Sequence, residues 1–352
     1  MIESLAQAPA EFFSAVQERF ERAAARVGPL EKRFQIGDRV ALLRFAGNAL
    51  HDLLTPALEH LAALPGSKPE LTVCVFDTIA TGVAPPRPAW ASDAFRPRGE
   101  IDGFNDGRIH TVYQQGSDVL LMYDRERHEA LYWSSDHRKI PYWERSFPLR
   151  TVFHWWLEDQ PLQPVHAAAV GLPRGGVLVA GLSGSGKSTT ALACLDSELL
   201  FAGDDYVLVR NSPAPYVYSL YGTAKLEPAN LARFPHLRAA AANGGRLDRE
   251  KALLFLHSFA PEKLSRGFPI SALLVPRVTG RHDTQLRRST AAEAFLALAP
   301  TTLGHLPGAE KAAFAKMGEL VRQVPVFALE AGTDLAQIPR TILDLLRRQE
   351  NA

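Results

Sequence analysis

The stretch Gly181-Leu-Ser-Gly-Ser-Gly-Lys187-Ser188 decides the fold of the C-terminal half of this chain. A glycine, four residues and then Gly-Lys-Ser form the spacing of a phosphate-binding loop (P-loop) for ATP or GTP. Small residues let backbone N–H groups converge on phosphate oxygens, the lysine reaches the β and γ phosphates, and the next hydroxyl binds Mg²⁺. The predicted nucleotide-binding residues are Gly181, Ser183, Gly184, Ser185, Gly186, Lys187, Ser188 and Thr189.

The residues on both sides of the loop support this interpretation. The apolar run 176–180 has the composition of a buried strand, and the run 190–195 favours a helix. A P-loop lies between a strand and a helix, so the context fits. The alternative is a chance turn rich in glycine and serine.

Length and composition favour two soluble domains. The chain has 352 residues, more than one domain usually holds. Pro161 and Pro164 mark the predicted boundary between an N-terminal domain over 1–160, with a substrate-binding or interaction role, and a P-loop domain over 161–352. The net charge of +1 gives no reason to expect a nucleic-acid partner.

The sequence also predicts a cytoplasmic protein. No apolar run is long enough to span a bilayer, and the first six residues lack the basic start and apolar core of a signal peptide. The two cysteines, Cys74 and Cys194, lie in apolar runs and are expected to be reduced core residues.

The N-terminal domain is predicted to be α+β with an antiparallel sheet. Apolar residues from Phe12 to Phe20 recur at helical spacing, so residues 9–27 form an amphipathic helix. Further predicted elements are strands at 39–45 and 71–76, a helix at 55–63 capped by Thr55, a meander at 110–113, 118–123 and 129–133, and a helix near 146–159.

The C-terminal domain alternates strands with helices, which predicts an α/β sheet covered by helices. Besides the loop and its helix, the predicted elements are strands at 165–170, 176–180, 199–201, 206–210, 270–275 and 324–329, and a helix at 334–348.

Two adjacent aspartates, Asp204 and Asp205, follow Lys187 after only 17 residues. Beside a nucleotide-bound Mg²⁺, one carboxylate can hold the metal or its water and the other can accept a proton from an attacking hydroxyl. Neighbouring residues on a regular strand face opposite ways, so the pair is expected at a strand end or bend. The alternative is a solvated turn.

The strand upstream of the loop, 165–170, contains His166. A histidine on a buried strand is usually a core residue with satisfied hydrogen bonds. A functional role for His166 depends on the whole arrangement of strand, loop and aspartates.

That arrangement resembles the HPr serine kinase/phosphorylase family over about residues 164–210. The shared elements are the strand Val165-His166-Ala-Ala-Ala-Val170, the P-loop, and the Asp-Asp strand Ala202-Gly-Asp204-Asp205-Tyr-Val207. The resemblance implies ATP and Mg²⁺ as cofactors and Lys187, Asp204, Asp205 and His166 as catalytic residues. The resemblance also implies that Ser188, Asp204 and Asp205 lie at the metal, and it leaves open which aspartate is the base. It further implies that the protein self-associates.

The family's later Glu-Ile-Arg-Gly-type signature is replaced here by Tyr221-Gly-Thr-Ala-Lys225-Leu-Glu227-Pro. Lys225 and Glu227 are therefore candidate acceptor or metal contacts. Phosphoryl transfer usually needs more than one cation, which adds Lys251 and Arg277 as candidates. Each of these residues can also be read as an ordinary surface charge.

The leading prediction is a kinase that transfers the γ-phosphate of ATP to a hydroxyl, such as a serine, of a peptide, protein or small molecule. The alternatives are a regulatory protein that binds and hydrolyses ATP, a small-molecule kinase of another family, or a carboxykinase-like enzyme on the same core.

Overall fold

The computed structural model describes residues 8–87, 90–91, 93–305 and 310–350. The chain forms two compact units: an N-terminal unit of residues 1–55 and 62–156, and a C-terminal unit of residues 56–61 and 157–352. The expectation that the first six residues are not a signal peptide lies outside the described residues. The two predicted domains also include residues 1–7 and 351–352, which lie outside them. The interaction role of the N-terminal domain stays a prediction.

The N-terminal unit contains a six-stranded sheet in the order β1-β2-β3-β6-β5-β4. The strands are β1 (Pro29–Ile36), β2 (Arg39–Ala46), β3 (Leu71–Asp77), β4 (Ile109–Gln114), β5 (Val119–Asp124) and β6 (Glu129–Ser134). The predicted meander is confirmed, because β4, β5 and β6 pair antiparallel. The sheet as a whole is mixed rather than antiparallel, since β3 pairs parallel with both β2 and β6.

The helices of this unit are α1 (Pro9–Val27), α2 (Asn48–Leu54), α3 (Thr78–Thr81), α4 (Tyr142–Ser146) and α5 (Arg150–Leu157). The amphipathic helix at 9–27 is confirmed, and its apolar face is buried in a core with residues of β3 and β5, including Phe76 and Met122.

The helix predicted over 55–63 is wrong. The helix ends at Leu54, and two 3₁₀ turns follow at Thr55–Ala57 and Glu59–Leu61. Pro56 has no backbone N–H, so it cannot donate to the carbonyl four residues earlier and does not continue α2. The helix predicted near 146–159 begins later, at Arg150, after Leu149, whose φ of 58° lies outside the right-handed helical region.

The C-terminal unit contains a nine-stranded mixed sheet and a separate two-stranded one, β13-β14. The strands are β7 (Leu162–Val165), β8 (Ala167–Leu172), β9 (Gly175–Ala180), β10 (Leu200–Gly203), β11 (Val207–Arg210), β12 (Tyr216–Ser219), β13 (Thr223–Leu226), β14 (Ala252–Phe255), β15 (Gly267–Val278), β16 (Gln285–Arg288) and β17 (Val326–Ala331). The long strand β15 pairs with β12 at its start, and then parallel with both β9 and β17.

Helices cover both faces of the nine-stranded sheet. They are α6 (Lys187–Ala193), α7 (Pro228–Leu231), α8 (Ala291–His305), α9 (Glu310–Gln323) and α10 (Gln337–Glu350). Residues of α6 and α10 share one apolar core with the sheet, and residues of α8 and α9 share the other. The mixed α/β class predicted from the sequence is confirmed. Among the described residues, no helix combines the length and the apolar character needed to cross a membrane.

Candidate active site

The P-loop connects the buried strand β9 to the start of α6. Its glycines are required by geometry. A Cβ on Gly181 would lie 2.3 Å from Oγ of Ser185, and Gly184 and Gly186 have φ angles of +79° and +104°. L-residues with side chains rarely adopt such φ values. The loop therefore depends on glycine at these three positions of the predicted motif.

Lys187 extends back across the loop and is almost fully buried, with 6% of its surface exposed. Its Nζ donates hydrogen bonds to the carbonyl oxygens of Gly181, at 2.7 Å, and Leu182, at 3.2 Å. Burial lowers the pKa of Lys187, and the carboxylates of Asp204 and Asp205 partly oppose this shift. The ammonium group is thus held at the loop by groups of opposite polarity.

The two aspartates follow β10 directly and lie in a bend before β11, as the sequence predicts. Asp204 is buried, and its Oδ2 accepts a hydrogen bond of 3.1 Å from the backbone N–H of Lys225. Among the described residues its Oδ1 has no hydrogen-bond partner. Burial and the charge of Asp205 raise the pKa of Asp204, while Lys225 N–H, the Ser188 hydroxyl and Lys187 lower it less.

Asp205 faces two cationic or polar partners. Its Oδ2 lies 3.1 Å from Nζ of Lys225, and its Oδ1 lies 3.4 Å from Nε2 of His166. Burial favours a higher pKa for Asp205, but Lys225 and His166 outweigh it and hold the pKa below its ordinary value. The two adjacent aspartates therefore differ in proton affinity: Asp205 stays ionised, and Asp204 takes up a proton more readily.

His166 does not lie within a strand, which corrects the predicted strand over 165–170. The chain breaks at this residue, with β7 ending at Val165 and β8 beginning at Ala167. The reason is that β7 pairs with β11 whereas β8 pairs with β9 and β10. Burial lowers the pKa of His166, and Asp205 partly offsets this effect.

One cleft of about 720 Å³ brings most of the predicted residues together. Predicted residues that line it are Ser183, Gly184, Gly186, Lys187, Ser188, Thr189, His166, Asp205, Lys225, Glu227 and Lys251. Asp204 lies buried beside them. In its described part the lining does not include Arg277, whose guanidinium pairs with Glu293 instead. Lys251 and Glu227 pair with each other at 2.9 Å and are both well exposed.

Sequence reasoning missed several residues of this cleft, among them Thr301, Asn230 and Arg233. Thr301 lies on α8, more than a hundred residues after the P-loop, and no local pattern marks it. Arg233 follows α7, and its guanidinium donates to the carbonyl of Thr333 at 3.2 Å. Asn230 and Arg233 lie close in sequence to the predicted Lys225 and Glu227. That closeness is the signal that could have indicated them.

The residues present fit a nucleotide phosphate chain with Mg²⁺. Glycine at Gly184 and Gly186, both with positive φ, leaves the loop backbone without side chains where N–H groups can approach phosphate oxygens, and the unpartnered Oδ1 of Asp204 is a buried oxygen of the kind that Mg²⁺ prefers. Among the described residues no group of three or more His, Cys, Asp or Glu side chains could hold a metal ion by itself. Mg²⁺ is usually held by one or two carboxylates together with substrate phosphates, which is compatible with this donor set.

Comparison with known proteins does not assign the chain to a family. No family model and no curated protein matches the chain. A solved structure that does match is the HPr(Ser) kinase/phosphatase from Coxiella burnetii, with 11% identity and a TM-score of 0.31. The match covers 54% of this chain and 99% of that chain. At this TM-score the match carries no argument about fold, substrate or activity.

Proposed function

We propose that the C-terminal unit is a Mg²⁺- and ATP-dependent phosphotransferase that acts on a hydroxyl group. One observation carries the proposal: Asp205 lines the same cleft as the P-loop and is held there by Lys225 and His166. A P-loop alone is compatible with a motor, a switch or a kinase. An ionised carboxylate that faces the cleft beside it provides a group that can orient a hydroxyl and accept its proton.

The two aspartates have different roles in this proposal. Asp204 is buried next to Ser188 and would hold the metal with that hydroxyl. Asp205 would accept a hydrogen bond from the acceptor hydroxyl and take its proton as the hydroxyl oxygen bonds to the γ-phosphorus. The bond from that phosphorus to the β–γ bridging oxygen would break in the same transfer, and ADP would leave. Its lowered pKa keeps it ionised, so it is ready to act as a hydrogen-bond acceptor over the whole physiological pH range.

Cations of the chain compensate the charge that develops during transfer. Bound ATP and Mg²⁺ would supply the electrophilic phosphoryl group. Lys187 would contact the phosphates from the loop, and Lys225 would lie on the side of the acceptor, where it already contacts Asp205. His166 would keep the Asp205 carboxylate oriented from the other side.

Transfer of label from [γ-³²P]ATP tests the proposal. The full chain would be incubated with Mg²⁺ and, in turn, serine-containing peptides, polyols and no acceptor. We expect label on at least one added hydroxyl compound, and loss of transfer in Lys187→Ala. Arg277→Ala is the matched control, since Arg277 pairs with Glu293 away from the cleft. Release of free phosphate alone, at a rate that Asp204→Asn and Asp205→Asn leave unchanged, would contradict the proposal.

A further inference from the structure

The backbone N–H of His166 lies outside the ladders of the two strands that flank it. The β7 register ends at Val165 and the β8 register begins at Ala167. The N–H of His166 donates instead to Oγ1 of Thr302, at a distance of 2.9 Å. A buried amide needs a partner, so this contact satisfies the chain at the break between the strands.

Thr302 is a rigidly held acceptor in this contact. It lies on α8, and none of its surface is exposed. The same helix packs Ala294 and Leu298 into the apolar core that contains Val165 and Ala167. A β-branched side chain on a helix has restricted χ1 rotamers. The position of the hydroxyl is therefore set by the packing of α8 and not by solvent.

The contact has a consequence for the imidazole. Val165 and Ala167, on either side of the break, are buried in the core that α8 shares. The side chain of His166 lines the cleft instead, where its Nε2 lies 3.4 Å from Oδ1 of Asp205. A shift of the His166 backbone would move the imidazole away from the carboxylate.

We propose that Thr302 is a positioning residue, whose hydroxyl fixes the backbone of His166 so that the imidazole orients Asp205. Thr302 is not among the described residues that line the cleft, and it acts through His166. The geometric part stands on the contacts alone, and its effect on rate rests on the proposed phosphotransfer.

Two substitutions separate the hydroxyl from the shape of the side chain. Thr302→Val keeps the branched shape and removes the acceptor, whereas Thr302→Ser keeps the acceptor. We expect Thr302→Val to lower kcat about tenfold with the KM for ATP unchanged, the lower end of the roughly 10–100-fold loss that follows removal of partners that orient metal ligands. Thr302→Ser should stay within about twofold of the wild type, which is the rescue that a purely structural role would not give.

Thr111→Val is the matched control. Thr111 is also fully buried, and among the described residues its Oγ1 has no hydrogen-bond partner. The same change of side chain there removes no hydrogen bond, so we expect neither kcat nor KM to change.

Nuclear magnetic resonance of the full chain without nucleotide gives a readout independent of activity. We expect the His166 amide to be protected from hydrogen exchange in the wild type and Thr302→Ser, and to exchange about tenfold faster or more in Thr302→Val. The ¹⁵N signals of the His166 ring should move in Thr302→Val alone. Rapid exchange of the His166 amide in the wild type would overturn the proposal, and this measurement does not depend on the folding of any variant. Unchanged ring signals in Thr302→Val would overturn it as well.

The two proposals can fail separately. If the wild type transfers no phosphate but the amide and ring signals of His166 follow this pattern, the positioning by Thr302 stands and the proposed function fails. If phosphate is transferred and Thr302→Val behaves as the wild type in rate and in the His166 signals, the positioning by Thr302 fails and the proposed function stands.

Discussion

Each unit of this protein contains an aspartate paired with a histidine at the end of a strand. In the N-terminal unit, Oδ1 of Asp77 lies 3.1 Å from Nδ1 of His137. In the C-terminal unit, Oδ1 of Asp205 lies 3.4 Å from Nε2 of His166. Asp77 is the last residue of β3, and Asp205 follows β10 by two residues. Judged by the pair alone, the two places look alike.

Their surroundings differ. Asp77 uses the same Oδ1 to accept the N–H of Ala80, at 2.8 Å, and so caps the short helix α3. Asp205 contacts the ammonium of Lys225 and faces a cleft that the P-loop also lines. An Asp–His pair thus indicates a candidate active site when a loop with the sequence of a phosphate-binding loop and a lysine such as Lys225 line the same cleft. Three predictions test this difference.

The largest effect is expected for the aspartates. Asp205→Asn keeps the shape of the side chain and removes the charge that accepts a proton, so the rate of phosphoryl transfer from [γ-³²P]ATP should fall by about 10²–10⁴-fold. Asp77→Asn should leave that rate within about twofold, because asparagine is also a good helix cap. Equal losses in the two variants would show that the pairs do not differ in function.

A smaller effect is expected for the histidines. His166→Ala leaves Asp205 ionised through Lys225 but removes one of the two groups that orient it, so kcat should fall by about 10–100-fold. His137→Ala is the control in the N-terminal unit and should leave kcat within about twofold. Steady-state kinetics with varied ATP would measure both, and a raised KM for ATP without a change in kcat would assign His166 to nucleotide binding instead.

The smallest effect concerns a buried acid outside the candidate site. Burial raises the pKa of Glu144 in the N-terminal unit to about 7, against an ordinary value of 4.5. A raised carboxyl pKa gives stability that is present below the ordinary pKa and is lost as pH rises through the folded-state value. Relative to Glu144→Gln, the wild type should lose about 1 kcal/mol of unfolding free energy from about pH 5.5 to about pH 6.5.

Urea unfolding at both pH values would measure this loss, and ATP turnover should be the same in Glu144→Gln and the wild type. Burial raises the pKa of both Glu144 and Asp204, but only Asp204 lies at the candidate site. A change in stability without a change in turnover would show that a raised pKa caused by burial does not by itself indicate a catalytic role. A pH dependence that is identical in the two proteins would mean that Glu144 does not titrate in this range.

Local patterns predicted a large part of the fold. The helix at 9–27, the meander and the strand before the P-loop follow from apolar periodicity and turn residues, and the structure has them within a few residues. Errors arose at Pro56, which lacks the N–H that would continue the helix, and at Leu149, whose left-handed φ comes directly before α5. They also arose at His166, where two strands that look continuous in sequence pair with different partners.

Within the candidate site, local sequence is enough to predict the P-loop and the Asp204-Asp205 bend, because glycine spacing and adjacent charges act within a few residues of each other. Tertiary packing brings Lys225 to Asp205, pairs Arg277 with Glu293, and places Thr302 at His166 and Thr301 at the cleft. These contacts join residues that are 16 to 136 positions apart. Only the packing of helices on the sheet sets such distances, so no local pattern could have shown them.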